Sequence, residues 1–197
     1  LDTYNACEHP GNDEAAVETI KMMTEQNERL GKMVKTLLDM SELQTVARDE
    51  VIALDALIEE VLTDLESLAA RKNIRLVREC EPVTMTGSDI LIYRLVYNLV
   101  ENAIKYNVDG GWVKVILDAD HQYFSVEISD SGIGIPQESI EHIYERFYRV
   151  DKGRSRKMGG TGLGLAIVKN SVLLHGGTIR AANLPEGGLK FEFTIKK

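Results

Sequence analysis

The stretch Gly159-Gly160-Thr161-Gly162-Leu163-Gly164 runs without a break into Leu165-Ala166-Ile167-Val168, and it narrows the possible folds more than any other segment. The alternating glycines free the backbone, and the apolar run behind them predicts a helix over residues 162–175. The junction then delivers free amides to a helix N-terminus, where the helix dipole favours an anion such as a triphosphate. The pattern is not G-x-x-x-x-G-K-[ST], which excludes a Walker-type P-loop. It does not follow the first strand of a βαβ unit, which argues against a dinucleotide fold. The motif set of eukaryotic-type protein kinases is missing as well. Taken alone, glycines so spaced also serve helix capping and tight packing.

Three further stretches carry chemistry. Asn98, Asn102 and Lys105 stand at i, i+4 and i+7, so they share one face of a helix expected from Ser88 or Asp89 to about Tyr106. Leu95, Leu99, Ala103 and partly Val96 supply its apolar face. Carboxamide oxygens are hard neutral ligands suited to Mg²⁺ that already carries phosphate oxygens and waters, and the lysine can meet a phosphate. Asp130-Ser131-Gly132-Ile133-Gly134-Ile135-Pro136 follows an expected strand. There a carboxylate can accept from an exocyclic amine such as that of adenine, while the glycines let the backbone approach a flat ligand. Finally, Phe147 and Tyr148 are expected to pack the base of a polar loop in which Arg149, Lys152, Arg154, Arg156 and Lys157 offer positive charge. Such a loop can close over a triphosphate, although charge runs are ordinarily solvated surface.

Around these motifs, residues 14–43 contain no proline, and Val17, Ile20, Leu30, Val34, Leu37 and Leu38 recur at helical spacing. A seam of that length is expected to pack into a bundle or against another chain. After residue 45 the texture changes. Strands are expected at 51–53, 74–79, 84–87 (pairing with 74–79), 112–117, 123–129, 178–182 and 189–195. Helices are expected from a cap at Asp55 to about Lys72, after Ser88, briefly after Pro136, and after Gly162. Strands interspersed with helices imply an α+β fold, with helices stacked on one face of a mixed sheet.

With 197 residues, 44% hydrophobic and 27% charged, the chain has material for one domain plus an extension. A net charge of −8 argues against nucleic acid or an anionic membrane as partner. Cys7 and Cys80 lie far apart without ligand spacing, so reduced thiols are expected rather than a zinc site or disulfide. No apolar run approaches the roughly 20 residues of a membrane span.

Taken in chain order, from Asn98 through Asp130 and Phe147 to Gly164, the four stretches resemble the N, G1, F and G2 boxes of sensor histidine kinases, within the wider group of gyrase, MutL and heat-shock chaperone ATPases. The resemblance covers about residues 51–197 and includes His175-Gly176-Gly177. Residues 14–43, notably Glu28-Arg29-Leu30 and Leu37-Leu38-Asp39-Met40-Ser41-Glu42-Leu43, resemble the second helix of the dimerisation and phosphoacceptor hairpin. The resemblance implies a two-layer α/β sandwich of GHKL (Bergerat) type over residues 47–197, behind a hairpin remnant at 1–46. It implies Asn102 as a Mg²⁺ ligand with Asn98 beside metal and phosphates, Lys105 on phosphate, and Tyr106 at the pocket's border. Asp130 would read adenine with help from Gly132 and Gly134. Arg149, and after it Arg146, would meet the terminal phosphate of ATP, and Gly160, Thr161, Gly162, Leu163 and Gly164 would form the hinge of a lid.

The related ATPases carry a catalytic glutamate where Asn98 stands. An amide cannot act as a general base for water, which favours transfer to a protein acceptor over hydrolysis. Glu101, on an adjacent face, is the candidate acid/base. The family's H-E-x-x-x-P phosphoacceptor motif is missing from this sequence: His9 directly precedes Pro10, and His121, His142 and His175 fall inside the catalytic domain. Residues 1–8 are expected to be the tail of the first hairpin helix, with the acceptor upstream. The implied setting is cytoplasmic, beneath a membrane-anchored sensor, with a response regulator receiver domain as partner and a homodimer in the full-length protein. The competing readings are an ATPase that drives a conformational change, a nucleotide-binding module that only scaffolds partners, and a kinase for a regulatory protein's serine.

Overall fold

A computed structural model of the chain describes residues 13–42, 45–150 and 161–197. The chain separates into two units, divided between Ser41 and Glu42. The first carries α1 (Asp13–Glu42). Its seam residues Val17, Ile20, Leu30 and Val34 are all more than half exposed, while the side chains of Leu37 and Leu38 are outside the described set. Among the described residues no helix is long and apolar enough to cross a membrane.

In the second unit, β1 (Glu50–Ala53) leads into α2 (Leu54–Ala70), β2 (Arg75–Cys80), β3 (Thr84–Gly87) and α3 (Asp89–Lys105). Then come β4 (Trp112–Ala119), β5 (Tyr123–Asp130), a single 3-10 turn at Gln137–Ser139, α4 (Gly164–Leu174), β6 (Ile179–Asn183) and β7 (Leu189–Lys196). Five strands form a mixed sheet in the order β2-β4-β5-β7-β6. Only β2 and β4 run parallel, and such a pair needs a long crossover, which α3 provides. Val113, Val115 and Leu117 of β4, Phe124, Val126 and Ile128 of β5, and Phe191, Phe193 and Ile195 of β7 alternate into one buried face. Register aligns them across strands: Val115 opposite Ile128, Leu117 opposite Val126, Val126 opposite Phe193. The helices lie against that face with α3 central, between α2 and α4. The other face is polar, with Lys114 paired to Glu79 at 2.8 Å and Lys190 to Glu127 at 3.3 Å. This is the expected α+β sandwich.

Local expectations need correction. β3 pairs antiparallel with β1, not with β2. The bend at Glu81-Pro82-Val83 folds back onto the start of α2, where the Leu54 amide donates to the Val83 carbonyl at 3.0 Å. Asp55 does not cap α2, whose N-cap is Ala53; its carboxylate instead accepts the Val83 amide at 3.3 Å. The hydroxyl of Ser88, at the start of α3, makes no cap bond and is buried without a partner among the described residues.

His175 reaches the start of α3 from a distance. Its Nδ1 faces the Ser171 carbonyl at 2.8 Å, and its Nε2 accepts the Ser88 amide at 3.2 Å. The pairing requires a neutral imidazole with its proton on Nδ1, and it ties α4 to α3. Burial lowers the His175 pKa below its ordinary value; the Ser171 bond opposes this, and Arg48 adds to it. A depressed imidazole pKa stabilises the fold fully above the unfolded-state value, and that contribution is lost as pH falls through the folded-state value. Denaturant stability is therefore expected to fall as pH drops below the ordinary imidazole range of about 6.5, less steeply in a His175→Gln chain. Equal slopes in the two chains would contradict the role assigned to His175.

Candidate functional site

The C-terminal half of α3 is the platform of the site. Its apolar stripe, with Leu95, Leu99 and Val100 fully buried, points into the sandwich, which leaves Asn98, Asn102 and Lys105 half-buried at the margin. Asn98 donates Nδ2 to the Arg94 carbonyl at 2.6 Å, and this fixes which way the amide faces. Its Oδ1 lies 2.8 Å from the point where a Cβ on Gly164 would sit. The glycine that opens α4 is thus seated directly against the asparagine face. Asn102 makes no side-chain hydrogen bond among the described residues, so its carboxamide retains its ligand capacity. Lys105 and Glu101 form an i, i+4 ion pair at 2.9 Å. Glu101, expected as an acid/base, is therefore neutralised by the lysine expected on phosphate, and either role requires the pair to open.

The end of α3 is stitched to the Asp130 loop. Tyr106 presents its carbonyl to the Ile133 amide at 3.3 Å. A Cβ on Gly132 would meet that carbonyl at 2.5 Å and the Asp130 carboxylate at 2.8 Å. Gly134, with φ of +61°, would bring its Cβ to 2.8 Å from Asn183 Oδ1. Both glycines are thus required by the protein's own packing, and ligand approach need not be invoked. Asp130 is 7% exposed, and its Oδ1 accepts the Gly132 amide at 2.8 Å and the Leu189 amide at 3.3 Å. Burial raises its pKa above the usual carboxylate value, and the two amide bonds partly offset this. A buried carboxylate oriented by two amides is a selective acceptor for a ligand N–H.

The segment before α4 meets the Phe147 region. Phe147 adopts φ of +66° and Gly162 φ of +74°. The Phe147 amide donates to the Gly162 carbonyl at 2.8 Å, and a Cβ on Gly162 would lie 2.9 Å from the Phe147 backbone. A phenylalanine held at positive φ is strained and needs such fastening. Thr161 accepts the Leu163 amide at 3.4 Å. Leu163 itself is fully buried, so its side chain anchors this segment to the core. Tyr148 packs on the core and donates to Ser139 Oγ at 3.0 Å, whereas the Phe147 side chain is 49% exposed. Only Tyr148 packs as expected. Arg146 is exposed and Arg149 half-buried. Gly160 lies outside the described residues, as do Lys152, Arg154, Arg156 and Lys157.

Two residues escaped the sequence reading. Asn107, 8% exposed, donates to the Trp112 carbonyl at 2.9 Å and accepts from Ser131 Oγ at 3.1 Å. It locks the end of α3 to both β4 and the Asp130 loop. Gly188, at φ of +99°, abuts the Asp130 carbonyl. The first sits in an ordinary-looking Asn-Val-Asp-Gly turn and the second in a hairpin turn, so neither signals a site.

The fold and geometry agree with what is known of other proteins. Residues 87–197, more than half of the chain, match the family described as histidine kinase-, DNA gyrase B-, and HSP90-like ATPase. The sensor histidine kinase RppB of Synechocystis sp. is 38% identical over 177 residues, 87% of this chain and 38% of that protein. The phosphate regulon sensor protein PhoR of Pseudomonas aeruginosa is 32% identical over 179 residues, 89% of this chain and 40% of that protein. The chain thus spans about two-fifths of the length of these relatives. Among solved structures, a mycobacterial sensor histidine kinase, MprB, matches with a TM-score of 0.66 and 32% identity, covering 75% of this chain and 97% of that one. Histidine kinase ThkA, solved in complex with the response regulator TrrA, matches with a TM-score of 0.74 and 28% identity over 96% of this chain and 53% of that one. The chain belongs to the histidine kinase-, DNA gyrase B- and HSP90-like ATPase family, and its second unit is a catalytic ATP-binding domain of the sensor histidine kinase kind.

Proposed function

We propose that the second unit binds Mg²⁺-ATP between the Asn98/Asn102 face of α3, the Asp130 loop and the start of α4, and transfers the γ-phosphoryl group to a histidine of the dimerisation hairpin. The observation that carries this is the convergence of those elements: Gly164 on Asn98, and Gly132 and Ile133 on Tyr106. Asp130 accepts the adenine amine, with Tyr106, Gly132 and Gly134 bordering the base. Asn102, assisted by Asn98, suits Mg²⁺. Among the described residues no group of three or more His, Cys, Asp or Glu could hold a metal, and an amide pair fits an ion that keeps its waters and phosphate oxygens. The ion, when bound, would neutralise charge on the phosphates. Lys105, released from Glu101, and Arg149 with Arg146 would neutralise phosphate charge, while the segment from Gly160 through Thr161, Gly162 and Leu163 to Gly164 hinges the lid. In the transfer, an imidazole nitrogen forms the N–P bond as the bond from γ-phosphorus to the bridging oxygen breaks and ADP leaves. With an amide at Asn98, no general base for water stands there, which favours that acceptor over hydrolysis.

The exposed seam of α1 supports reading residues 1–46 as part of a hairpin that pairs in a homodimer, with residues 47–197 as the catalytic domain. ThkA's complex with a response regulator supports relay from the phosphohistidine to a receiver-domain aspartate. This reading places the protein in the cytoplasm under a membrane-anchored sensor. The test is incubation with γ-labelled ATP and a separately supplied hairpin bearing the H-E-x-x-x-P histidine. Acid-labile label is expected on the hairpin and none on this chain alone, with at least a hundredfold slower transfer in Asn102→Ala (about 3 kcal/mol). Steady phosphate release without hairpin labelling would favour the ATPase reading instead.

A further inference from the structure

The final hairpin of the sheet ends in a rung whose two residues both reach the Asp130 loop. Asn183, the last residue of β6, stands opposite Leu189, the first of β7. The Leu189 amide donates to Asp130 Oδ1 at 3.3 Å. On the other side, Asn183 Oδ1 accepts the Ile135 amide at 3.0 Å, and Asn183 Nδ2 donates to the Ile135 carbonyl at 2.7 Å. A carboxamide that engages both backbone groups of one residue imitates a strand partner, so the sheet gains a one-residue extension across the loop. Gly134 is what permits it, since any Cβ there would collide with the Asn183 amide.

Resting on the assignment of Asp130 to adenine, we infer that Asn183 is a positioning residue for base recognition, holding the far end of the Asp130 loop at a set distance from the carboxylate. One rigid hairpin end grips the loop at Asp130 and at Ile135, while Ile133 is tied between them to Tyr106. Asn183 is exposed and outside the core, so its removal loosens the loop without opening a cavity. Among the described residues its side-chain hydrogen bonds go to Ile135, in the Asp130 loop, and not to the asparagine face of α3 or the start of α4. Its effect therefore falls on the base and not on the phosphates.

Calorimetry of the whole chain with Mg·ADP and with Mg·IDP separates these ends, because hypoxanthine lacks the exocyclic amine. The unaltered chain is expected to prefer ADP. In Asn183→Leu, which keeps the size but neither bond, ADP is expected to bind about tenfold more weakly with IDP unchanged, so the preference shrinks by the same factor. Asn183→Asp keeps the acceptor but sets an anionic oxygen against the Ile135 carbonyl; it is expected to show at least that loss and serves equally if the leucine variant does not fold. Unchanged ADP binding, or an equal loss for both nucleotides, overturns the inference and leaves Asp130's role intact. An unaltered chain that binds the two nucleotides equally overturns the Asp130 assignment, and this inference with it.

Discussion

Asp130→Asn is expected to weaken adenine nucleotide binding by a few hundredfold while leaving the free protein at least as stable as before. The amide oxygen can still accept from Gly132 and Leu189, so the loop keeps its shape. The new Nδ2 group, however, would face the adenine amine donor to donor. Losing a charge-assisted bond and leaving a buried donor unmatched costs roughly 3–4 kcal/mol. Stability moves the other way because burial already disfavours the ionised carboxylate. A carboxyl whose folded pKa is raised gives the fold a contribution present below its unfolded value and lost as pH rises through the folded one. Removing the charge removes that penalty at neutral pH. Binding has the opposite dependence: the amine needs the ionised form, so affinity should decline on acidification from above the ordinary carboxylate range, and the Asp130→Asn chain should lack that decline. Calorimetry across pH beside thermal melts would show it. Parallel losses of affinity and melting temperature would mean that Asp130 is structural.

The second large effect is expected at Gly188. An alanine there would press its Cβ onto the Asp130 carbonyl and adopt φ of +99°, a region L side chains rarely enter. Backbone meets backbone, so no rotamer change relieves the overlap. We expect a loss of roughly 3–5 kcal/mol, or about 10 °C in melting temperature, together with weakened nucleotide binding as Asp130 is displaced. Gly110→Ala is the control: its φ is +72°, but nothing lies within 4 Å of the added carbon, so only strain of about 1 kcal/mol remains. A Gly188→Ala chain that melts within a degree or two of the Gly110→Ala chain would contradict the close packing of the hairpin on the loop.

The features legible in the sequence share a cause. The spacing of Asn98, Asn102 and Lys105 fixes one helical face whatever surrounds it, because an α-helix repeats every 3.6 residues. Gly162-Leu163-Gly164 ahead of an apolar run declares a helix start for the same local reason, and α4 begins at Gly164. Strands were legible at β4, β5 and β7 because apolar side chains recur every second residue there, a pattern that is also local.

Contacts between distant segments obey no such rule. Nothing local distinguishes β3 pairing with β2, four residues away, from its pairing with β1; the fold of Glu81-Pro82-Val83 onto α2 decided that. The complete burial of the Leu163 side chain likewise depends on what packs around it, which the glycine spacing does not reveal.

By itself, then, the order of residues determined the elements, their faces and the chemical class of the site, since each depends on periodicity and side-chain type within one segment. Only the tertiary structure decided which backbone groups orient Asp130, why Gly132, Gly134 and Gly188 must be glycine, and that Asn183 closes the loop. Those answers depend on distances between segments some 50 residues apart (Ile135 and Asn183 are separated by 48), and packing sets such distances where local preference cannot.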